Sequence, residues 1–311
     1  MRLPTTLRSD SLLLLTSLIW GLAFVAQRVG MDYVGPFIFN GIRFFLGALV
    51  ILPFILLAKN SAQHAPRTAD RASRTRHQAS NKLLIVGGLI LGLSVFAGAT
   101  FQQVGLVYTT AGNAGFITGL YVVFVPILGL LRRQFPHYTV WIAALLAVVG
   151  LYFLSVTESF SLRLGDFLVL IGAVFWAVHV LIISVLSPRV NALKLALVQY
   201  IVCAVLSTCV ALAVEHNTLE GILQATIPIL YGGVLSVGIA YTLQVIAQKK
   251  APPAHAAIIL SLEAVFAAIG GWLILGEQLG TRGLIGCGLM LLGMLVAQYA
   301  TIRKQLSLRT Q

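Results

Sequence analysis

Ala254–Leu275 reads AHAAIILSLEAVFAAIGGWLIL. The segment is apolar for about 20 residues, the length that an α-helix needs to cross a hydrocarbon layer of roughly 30 Å. Glu263 is its only carboxylate and lies about 15 Å along the helix, near mid-bilayer. Because an acid at that depth costs about 2.5–3.5 kcal/mol, two interpretations are open: a protonatable or amine-binding site, or a neutral acid that hydrogen-bonds a neighbouring helix.

A second stretch, Asn113–Leu131, aligns with the first at an offset of 142 positions. In this alignment Phe124 matches Phe266. Tyr121 occupies the position of Glu263. A repeated membrane segment with an acid in one copy only predicts a carrier made of two halves, with an asymmetric central site.

The composition is that of a membrane protein. Of the 311 residues, 59% are hydrophobic and 10% are charged, and the mean hydropathy is +0.95. A soluble protein carries roughly 25% charged residues. The net charge of +12 could indicate nucleic-acid binding, but nearly all the basic residues lie in short loops between apolar runs, so no nucleic-acid partner is expected. The three cysteines lie inside apolar runs without CxxC spacing, so neither disulfides, a metal site nor a cofactor is expected.

Ten apolar segments can be drawn, each near the length of about 20 residues that a spanning helix needs. Their ranges are 11–31, 36–58, 83–105, 110–131, 138–156, 166–187, 194–214, 225–247, 253–275 and 282–302. Several connections are so short that neighbouring helices must run antiparallel. The predicted fold class is therefore all-α integral membrane, with ten transmembrane helices.

The charges in the connections predict the orientation of the chain. Seventeen of the 21 basic residues fall in connections on one side of the membrane, and only Arg163 and Arg282 on the other. Because basic loops remain in the cytoplasm, both termini are expected there. The segment 59–82 is the one long polar loop, and its mix of Ser, Ala, Arg and His predicts a disordered basic cytoplasmic linker.

The sequence also repeats at the level of its two halves. Segments one and six share a pattern at an offset of 156, in which Trp20 matches Trp176. Five helices per half is an odd number, so the second half must enter the membrane from the opposite side. We therefore expect an inverted 5+5 repeat, with a first domain over 9–156, a second over 165–302 and a basic cytoplasmic tail over 303–311.

Four runs resemble the EamA type of the drug/metabolite transporter superfamily. They are SLIWGLAFVAQRVG (Ser17–Gly30), FNGIRFFLGALVILP (Phe39–Pro53), GLVYTTAGNAGFITGLYVVFVPILGLL (Gly105–Leu131) and LSLEAVFAAIGGWLILGEQLGTRGLIGCGLMLLGMLV (Leu260–Val296). The resemblance covers nearly the whole chain and implies ten helices, cytoplasmic termini and export or exchange of small metabolites such as amino acids. Many relatives have proline directly after the acid of the ninth helix, where this chain has Ala264. Pro126 lies in the first half, so a local kink is expected in one half only.

Six intramembrane residues are candidates for substrate binding: Glu263, Trp20, Trp176, Arg43, Tyr121 and His179. Arg43, about 10 Å deep, could bind a substrate carboxylate, pair with Glu263 or support a helix contact. The two tryptophans lie at mid-helix rather than in the interfacial belt, and could either wall a cavity or pack in the core. His179 shares a helix face with Trp176 and could relay protons to Glu263, although a lone core histidine is more often simply hydrogen-bonded.

Five polar residues near helix ends are candidates for gates at the two mouths of an alternating-access path: Gln102, Gln103 and Asn113 at the outer ends, and Tyr241 and Gln244 at the inner ends. Interfacial polarity alone would also place such residues there. Asp166 and Glu277 lie at outer helix ends and are expected to be solvated.

No catalytic motif accompanies these residues. The sequence has no HExxH, GxSxG, P-loop or phosphate-binding GxGxxG motif, so no catalytic residue is assigned and an enzyme is not expected. We expect a secondary active transporter in the cell inner membrane that exports or exchanges small polar metabolites, driven by the proton motive force or by the gradient of its cargo. A flippase for a lipid-linked small molecule and an intramembrane lipid-modifying enzyme are the alternatives. The sequence does not decide between a monomer and a dimer.

Overall fold

The computed structural model describes residues 5–63, 71–131, 133, 138–155, 164–278, 280–282, 284–286, 288–293 and 295–296, and the regular structure in these ranges is helical throughout. In the N-terminal half the helices are α1 (Thr5–Gly30), α2 (Pro36–Gln63), α3 (Arg71–Leu106), α4 (Ala111–Gly119), α5 (Tyr121–Leu131) and α6 (Tyr138–Ser155). In the C-terminal half they are α7 (Leu164–Leu186), α8 (Ala192–Val214), α9 (Leu219–Gln224), α10 (Thr226–Leu230), α11 (Thr242–Ala247), α12 (Pro253–Leu260) and α13 (Glu263–Leu275). A π-helical segment, Tyr231–Tyr241, joins α10 to α11.

Eight stretches of the described residues are helical, apolar and long enough to cross a membrane. They are Leu7–Gly30, Pro36–Leu57, Asn81–Leu106, Ala111–Leu131, Leu164–Leu186, Ala192–Val214, Thr226–Ala247 and Pro253–Leu275. Two shorter apolar helices, Tyr138–Gly150 and Leu284–Gly293, lie where the sequence predicts the fifth and tenth segments. The prediction of an all-helical, multi-pass membrane protein is therefore confirmed.

Two of the spans are broken near their middle. α4 ends at Gly119 and α5 begins at Tyr121. α12 ends at Leu260 and α13 begins at Glu263. The second helices of the two broken spans thus begin at Tyr121 and Glu263, the residues that the alignment of the halves pairs with each other.

A tight turn produces each break. The amide of Leu120 donates to the carbonyl oxygen of Ile117 at 3.1 Å, and the amide of Leu262 donates to that of Ile259 at 3.2 Å. These are the i to i+3 bonds of a 3₁₀ turn, which interrupts the α-helical ladder. The kink expected only in the half that contains Pro126 is therefore present in both halves, because a tight turn rather than proline makes it.

The span Thr226–Ala247 contains eleven residues of π-helix, Tyr231–Tyr241. Short π-helical turns insert extra residues into a helix and change the direction of its side chains, and they occur frequently at functional sites. Here the segment packs closely on α2, where a Cβ atom added at Gly47 would clash with Val237. Ser236 within the segment is buried in the interior of the bundle.

The two halves pack against each other along much of their length. α3 lies against α7 and α8, α2 against α8 and the π-helical segment, and α1 against α13. The approach of α1 to α13 is close, because a Cβ atom at Gly21 would meet Phe266 and would lie 2.7 Å from the carbonyl oxygen of Glu263. Aromatic and aliphatic side chains fill the interface, and Phe44 and Tyr200 are completely buried there.

The two ends of the bundle differ in charge. At one end α2, α4 and α7 begin, and the described acids there are Asp32, Asp166, Glu215, Glu220 and Glu277. We call this the acidic end. At the other end α1 and α12 begin, and the described basic residues there include Arg8, Arg189, Lys194, Lys249 and Lys250. We call this the basic end.

The segment 59–82 departs from its prediction. α2 continues to Gln63 and α3 begins at Arg71, so the expectation of a wholly disordered linker is wrong for these parts of it. Ala and Arg are the most frequent residues in the segment, and they extend the neighbouring helices because they have high helix propensity. Residues 64–70, residues 157–163 of the predicted domain boundary near Thr157–Gly165, and the predicted basic tail at 303–311 lie outside the described residues.

Candidate functional site

A small cavity, with about 30 Å³ of free space, lies between the two halves, beside both helix breaks. All six residues predicted to bind substrate line it, together with three of the five predicted gate residues. These nine residues are Trp20, Arg43, Gln102, Tyr121, Trp176, His179, Tyr241, Gln244 and Glu263. The structure brings them to one place, and their roles remain predictions.

Glu263 and Tyr121 lie side by side in the wall of this cavity. Each is the first residue of its helix, and each is only 3% exposed. The Tyr121 hydroxyl is near enough to the Glu263 carboxyl group to interact with it, yet neither that hydroxyl nor Oε1 of Glu263 makes a hydrogen bond of ordinary geometry. Buried polar atoms without a partner are rare because leaving them unsatisfied is costly. A ligand in the cavity could therefore replace the weak contact of these two groups with each other.

Arg43 supplies a positive charge to the same cavity and is 2% exposed. Its Nε donates to Oδ1 of Asn40 at 2.9 Å, and its guanidinium carbon lies 5.6 Å from the ring centre of Phe39 and 5.1 Å from that of Phe44. These contacts fix the side chain on α2. Among the described residues no ion pair joins Arg43 to Glu263, so the pairing that the sequence left open is not formed.

Tyr241 lies at the centre of the aromatic lining. Its ring centre is 4.5 Å from that of Trp20 and 6.0 Å from that of Trp176, so it separates the two tryptophans that the repeat pairs. Trp20 Nε1 donates to the carbonyl oxygen of Ser236 at 3.2 Å, and Trp176 Nε1 donates to Oε1 of Gln102 at 2.8 Å. The polar edges of both indoles are thus satisfied, while their rings border the cavity.

His179 and Gln244 complete the polar part of the lining. His179 is 1% exposed, and its Nε2 shares a hydrogen bond of 2.9 Å with Oε1 of Gln199. The described hydrogen bonds do not link His179 to Glu263, so the geometry gives no direct support to the predicted relay. Oε1 of Gln244 is buried and has no hydrogen-bond partner, which adds a third unsatisfied oxygen to the cavity wall.

The predicted outer gate residues separate in the structure. Gln102 lines the cavity, and its Nε2 donates to Oε1 of Gln27 at 3.0 Å. Gln103 is rotated away by about 100° on the same helix, and its Nε2 donates to the carbonyl oxygen of Gln27. Asn113 lies outside the lining, in the first turn of α4, where its amide donates to the capping Oγ1 of Thr110 at 3.1 Å. Of these three, only Gln102 can contact a ligand in the cavity.

Two acids expected to be solvated are instead hydrogen-bonded to the N-terminal half. Glu277 accepts hydrogen bonds from backbone amides of α4, and Asp166 accepts one from Thr109. Both side chains remain partly exposed, and the expectation was incomplete because the halves meet at the acidic end and place helix starts and loop hydroxyls within reach of these carboxylates.

Several lining residues were missed by the sequence reasoning. They are Phe24, Gln27, Thr118, Val180, Ser236 and Leu260. Gln27 and Thr118 carried a usable signal, since each is a polar residue within an apolar segment. The apolar lining residues gave no such signal in the sequence. In the described part of the chain, no group of three or more His, Cys, Asp or Glu side chains is arranged to hold a metal ion.

Comparison with known proteins identifies relatives along the whole chain. The model of the EamA-like transporter family matches residues 7–156 and 163–298. An uncharacterized transporter of Archaeoglobus fulgidus is 34% identical over 296 residues, which cover 93% of this chain and 85% of that one. The uncharacterized transporter YoaV of Bacillus subtilis is 23% identical and covers 93% and 96%. A crystal structure of a protein 17% identical to this chain superposes with a TM-score of 0.72 over 95% of this chain and 98% of its own, which shows a shared fold.

Proposed function

The chain belongs to the EamA-like transporter family, and we propose that it moves small zwitterionic metabolites, such as amino acids, across the cell inner membrane by alternating access. Membership in the drug/metabolite transporter superfamily follows from the family, and the chain is a multi-pass membrane transporter. The proposal for its cargo rests on one observation: a buried carboxylate without a hydrogen-bond partner for Oε1 and a buried guanidinium line the same cavity. In the proposed role the protein exports or exchanges its cargo.

When Glu263 is ionised, it and Arg43 have opposite charges, and they form no pair with each other. An unpaired charge inside a membrane protein is costly and marks a substrate or ion pathway. A zwitterion satisfies both, with its ammonium group on Glu263 and Tyr121 and its carboxylate on Arg43. The rings of Trp20 and Tyr241 then pack against the remainder of the cargo, and an aromatic face also attracts a cation.

The size of the cavity supports a small cargo. Ligand sites commonly measure about 300–1,000 Å³, and the free space here is much smaller, about 30 Å³. The cavity would therefore accept a compact molecule of amino-acid size only after side chains in its wall move apart. The remaining predicted residues would then act around the bound cargo, His179 and Trp176 in its wall and Gln102, Tyr241 and Gln244 as gates.

We further propose ten transmembrane helices in an inverted 5+5 repeat, with domains at 9–156 and 165–302 and both termini in the cytoplasm. Three observations support this arrangement. The family model matches the chain in two consecutive parts, the two broken spans begin their second helices at Tyr121 and Glu263, and basic residues concentrate at one end of the bundle. In this orientation the acidic end faces outward. Energy would come from protons that bind Glu263 or from the gradient of the cargo.

Solute counterflow in proteoliposomes tests the cargo class. Purified protein is reconstituted into vesicles loaded with unlabelled protein amino acids, and the entry of the same mixture in radiolabelled form is followed, with protein-free vesicles as the control. We expect protein-dependent entry that is inhibited by the unlabelled zwitterions. Amines that lack the carboxylate, and acids that lack the amine, should compete weakly because each satisfies one charge only. Equal competition by either singly charged analogue would contradict the two-point site.

The two alternative functions differ from transport in testable ways. A flippase for lipid-linked cargo needs a cationic residue at a lateral opening, whereas Arg43 is buried. An intramembrane enzyme needs several polar residues around one cavity, a feature that this cavity does have. The transporter relatives favour transport over catalysis. Chemical conversion of the labelled mixture during counterflow would reverse that preference.

A further inference from the structure

Two matched contacts close the acidic end of the bundle. Glu215, just after α8, accepts hydrogen bonds from the backbone amides of Phe37 (2.8 Å) and Ile38 (2.9 Å) in the first turn of α2. Asn217 supports it, because its Nδ2 donates to Oε2 of Glu215 at 3.0 Å and its Oδ1 accepts from the amide of Gly35 at 3.1 Å. The carboxylate approaches so closely that a Cβ atom at Gly35 would clash with it.

The second contact repeats this geometry on another helix. Glu277, two residues beyond the end of α13, accepts hydrogen bonds from the amides of Ala111 and Gly112, both at 3.2 Å. These amides belong to the first turn of α4. A Cβ atom at Gly271 would collide with the same carboxylate. Each of the two acids therefore binds the start of a helix in the opposite half.

A third contact joins the halves nearby. Oγ1 of Thr109 donates to Oδ1 of Asp166 at 2.6 Å. In all three contacts the acid belongs to the C-terminal half and its partner to the N-terminal half. At the basic end, Oδ1 of Asp10 and Nε2 of His255 form a hydrogen bond between the halves at 2.9 Å.

These contacts join the elements that carry the cavity residues. Glu277 ties α13, which begins with Glu263, to the span that carries Tyr121. Glu215 ties α8 to α2, which carries Arg43. Movement of α2 or α4 away from its acid would therefore alter the cavity at the same time as the end opens.

We infer that Glu215 and Glu277 are gate residues that hold the acidic end closed and release it once in each transport cycle. The first turn of a helix has amides without partners in the helix, and the helix dipole favours a carboxylate there. At the surface, the carboxylate and the amides can each replace this contact with a hydrogen bond to water. The contact is therefore strong enough to favour the closed conformation and weak enough to break. This inference rests on the proposed alternating access, with the acidic end outside.

Thiol labelling tests the gate without any knowledge of the cargo. The three cysteines are replaced by alanine, and Ser236→Cys supplies one thiol in the cavity lining. A membrane-impermeant thiol reagent is then applied to intact cells and to inside-out vesicles. In this background Glu215→Gln and Glu277→Gln should each raise the labelling rate from outside about tenfold, because each loses a charge-assisted contact that favours the closed state.

Glu220→Gln is the matched control. Glu220 is an exposed acid at the same end, and its described hydrogen bond is a local one, accepted by Oε1 from Gln224 Nε2. Its substitution should leave the labelling rate unchanged. Unchanged outside labelling in both test variants, or a rise seen only in inside-out vesicles, would overturn the assignment.

A reversible cross-link provides a second measurement, which compares the bridged and the reduced state of one and the same protein. In the cysteine-free background, Thr109→Cys and Asp166→Cys place two thiols across the acidic end, where a short bifunctional methanethiosulfonate can bridge them. The bridged protein should lose counterflow of the radiolabelled amino acids and regain it after reduction. Full counterflow in the bridged state would refute opening at this end. If the protein without substitutions shows no counterflow, the proposed cargo is wrong, while the labelling result still decides the gate.

Discussion

Replacement of Glu263 by glutamine separates the two interpretations of this buried acid. Glutamine has nearly the same shape and cannot carry a negative charge. If Glu263 holds helices together, the substitution removes a stabilising contact. If Glu263 instead binds the cargo, the substitution removes only a group that the cargo contacts. The absence of a hydrogen bond at Oε1, in a side chain 3% exposed, favours the second interpretation.

If Glu263 binds the cargo, the substitution should weaken binding without lowering the stability of the protein. A charged acid at mid-bilayer costs about 2.5–3.5 kcal/mol on insertion scales, so glutamine should leave the free energy of unfolding unchanged or raise it. A hydrogen bond between the carboxylate and a cargo ammonium contributes roughly 1.5–3 kcal/mol. Its loss corresponds to a Kd for the zwitterion that is about 10–150 times higher.

Both quantities can be measured on one preparation. Quenching of tryptophan fluorescence reports binding of the amino acid that counterflow selects, because Trp20 and Trp176 border the cavity. Thermal unfolding in the same detergent reports stability, and Glu220→Gln provides the control for loss of an acid at the surface. A Glu263→Gln protein that unfolds at a lower temperature and binds the amino acid with unchanged Kd would refute the reasoning.

Three further predictions concern packing and the gate. Gly21→Ala should destabilise the protein by about 1–3 kcal/mol, since the new methyl group meets the backbone of α13, and Gly288→Ala, which has open space, is the control in thermal unfolding. Tyr241→Phe should retain most of the stability because it keeps the ring contacts, whereas Tyr241→Ala should lose about 3–5 kcal/mol in the same assay. Gly271→Ala should displace the flexible Glu277 side chain, so it should raise thiol labelling from the acidic end with little effect on the unfolding temperature.

The features that sequence reasoning predicted well are those that the bilayer imposes. Hydrocarbon thickness sets the length of a span, and the cost of a buried charge makes intramembrane polar residues few and conspicuous. For this reason all six predicted binding residues could be selected from polar and aromatic positions, and all six line the cavity. The alignment of the halves also paired Tyr121 with Glu263, and these two residues begin the helices that follow the two breaks.

The features that were missed depend on tertiary packing. Tyr241 was assigned to a helix end, but the π-helical segment that it terminates brings it between Trp20 and Trp176. Hydropathy gives no signal for such a segment, because its composition is that of any apolar helix. Gln102 and Gln103 are neighbours in sequence, and only the packing of α3 decides which of them faces the cavity.

The contacts at the acidic end could not be predicted from the sequence, for a different reason. Glu215 and its partner Phe37 are 178 positions apart in sequence, and Glu277 and Ala111 are 166 apart. Moreover, the donors are backbone amides, which every helix start possesses, so no complementary side chain reveals the partner. The same property makes the contact suited to repeated opening. When the halves separate, water can solvate the amides and the carboxylate, and no second charge is left behind without a partner, as it would be after the opening of a buried ion pair.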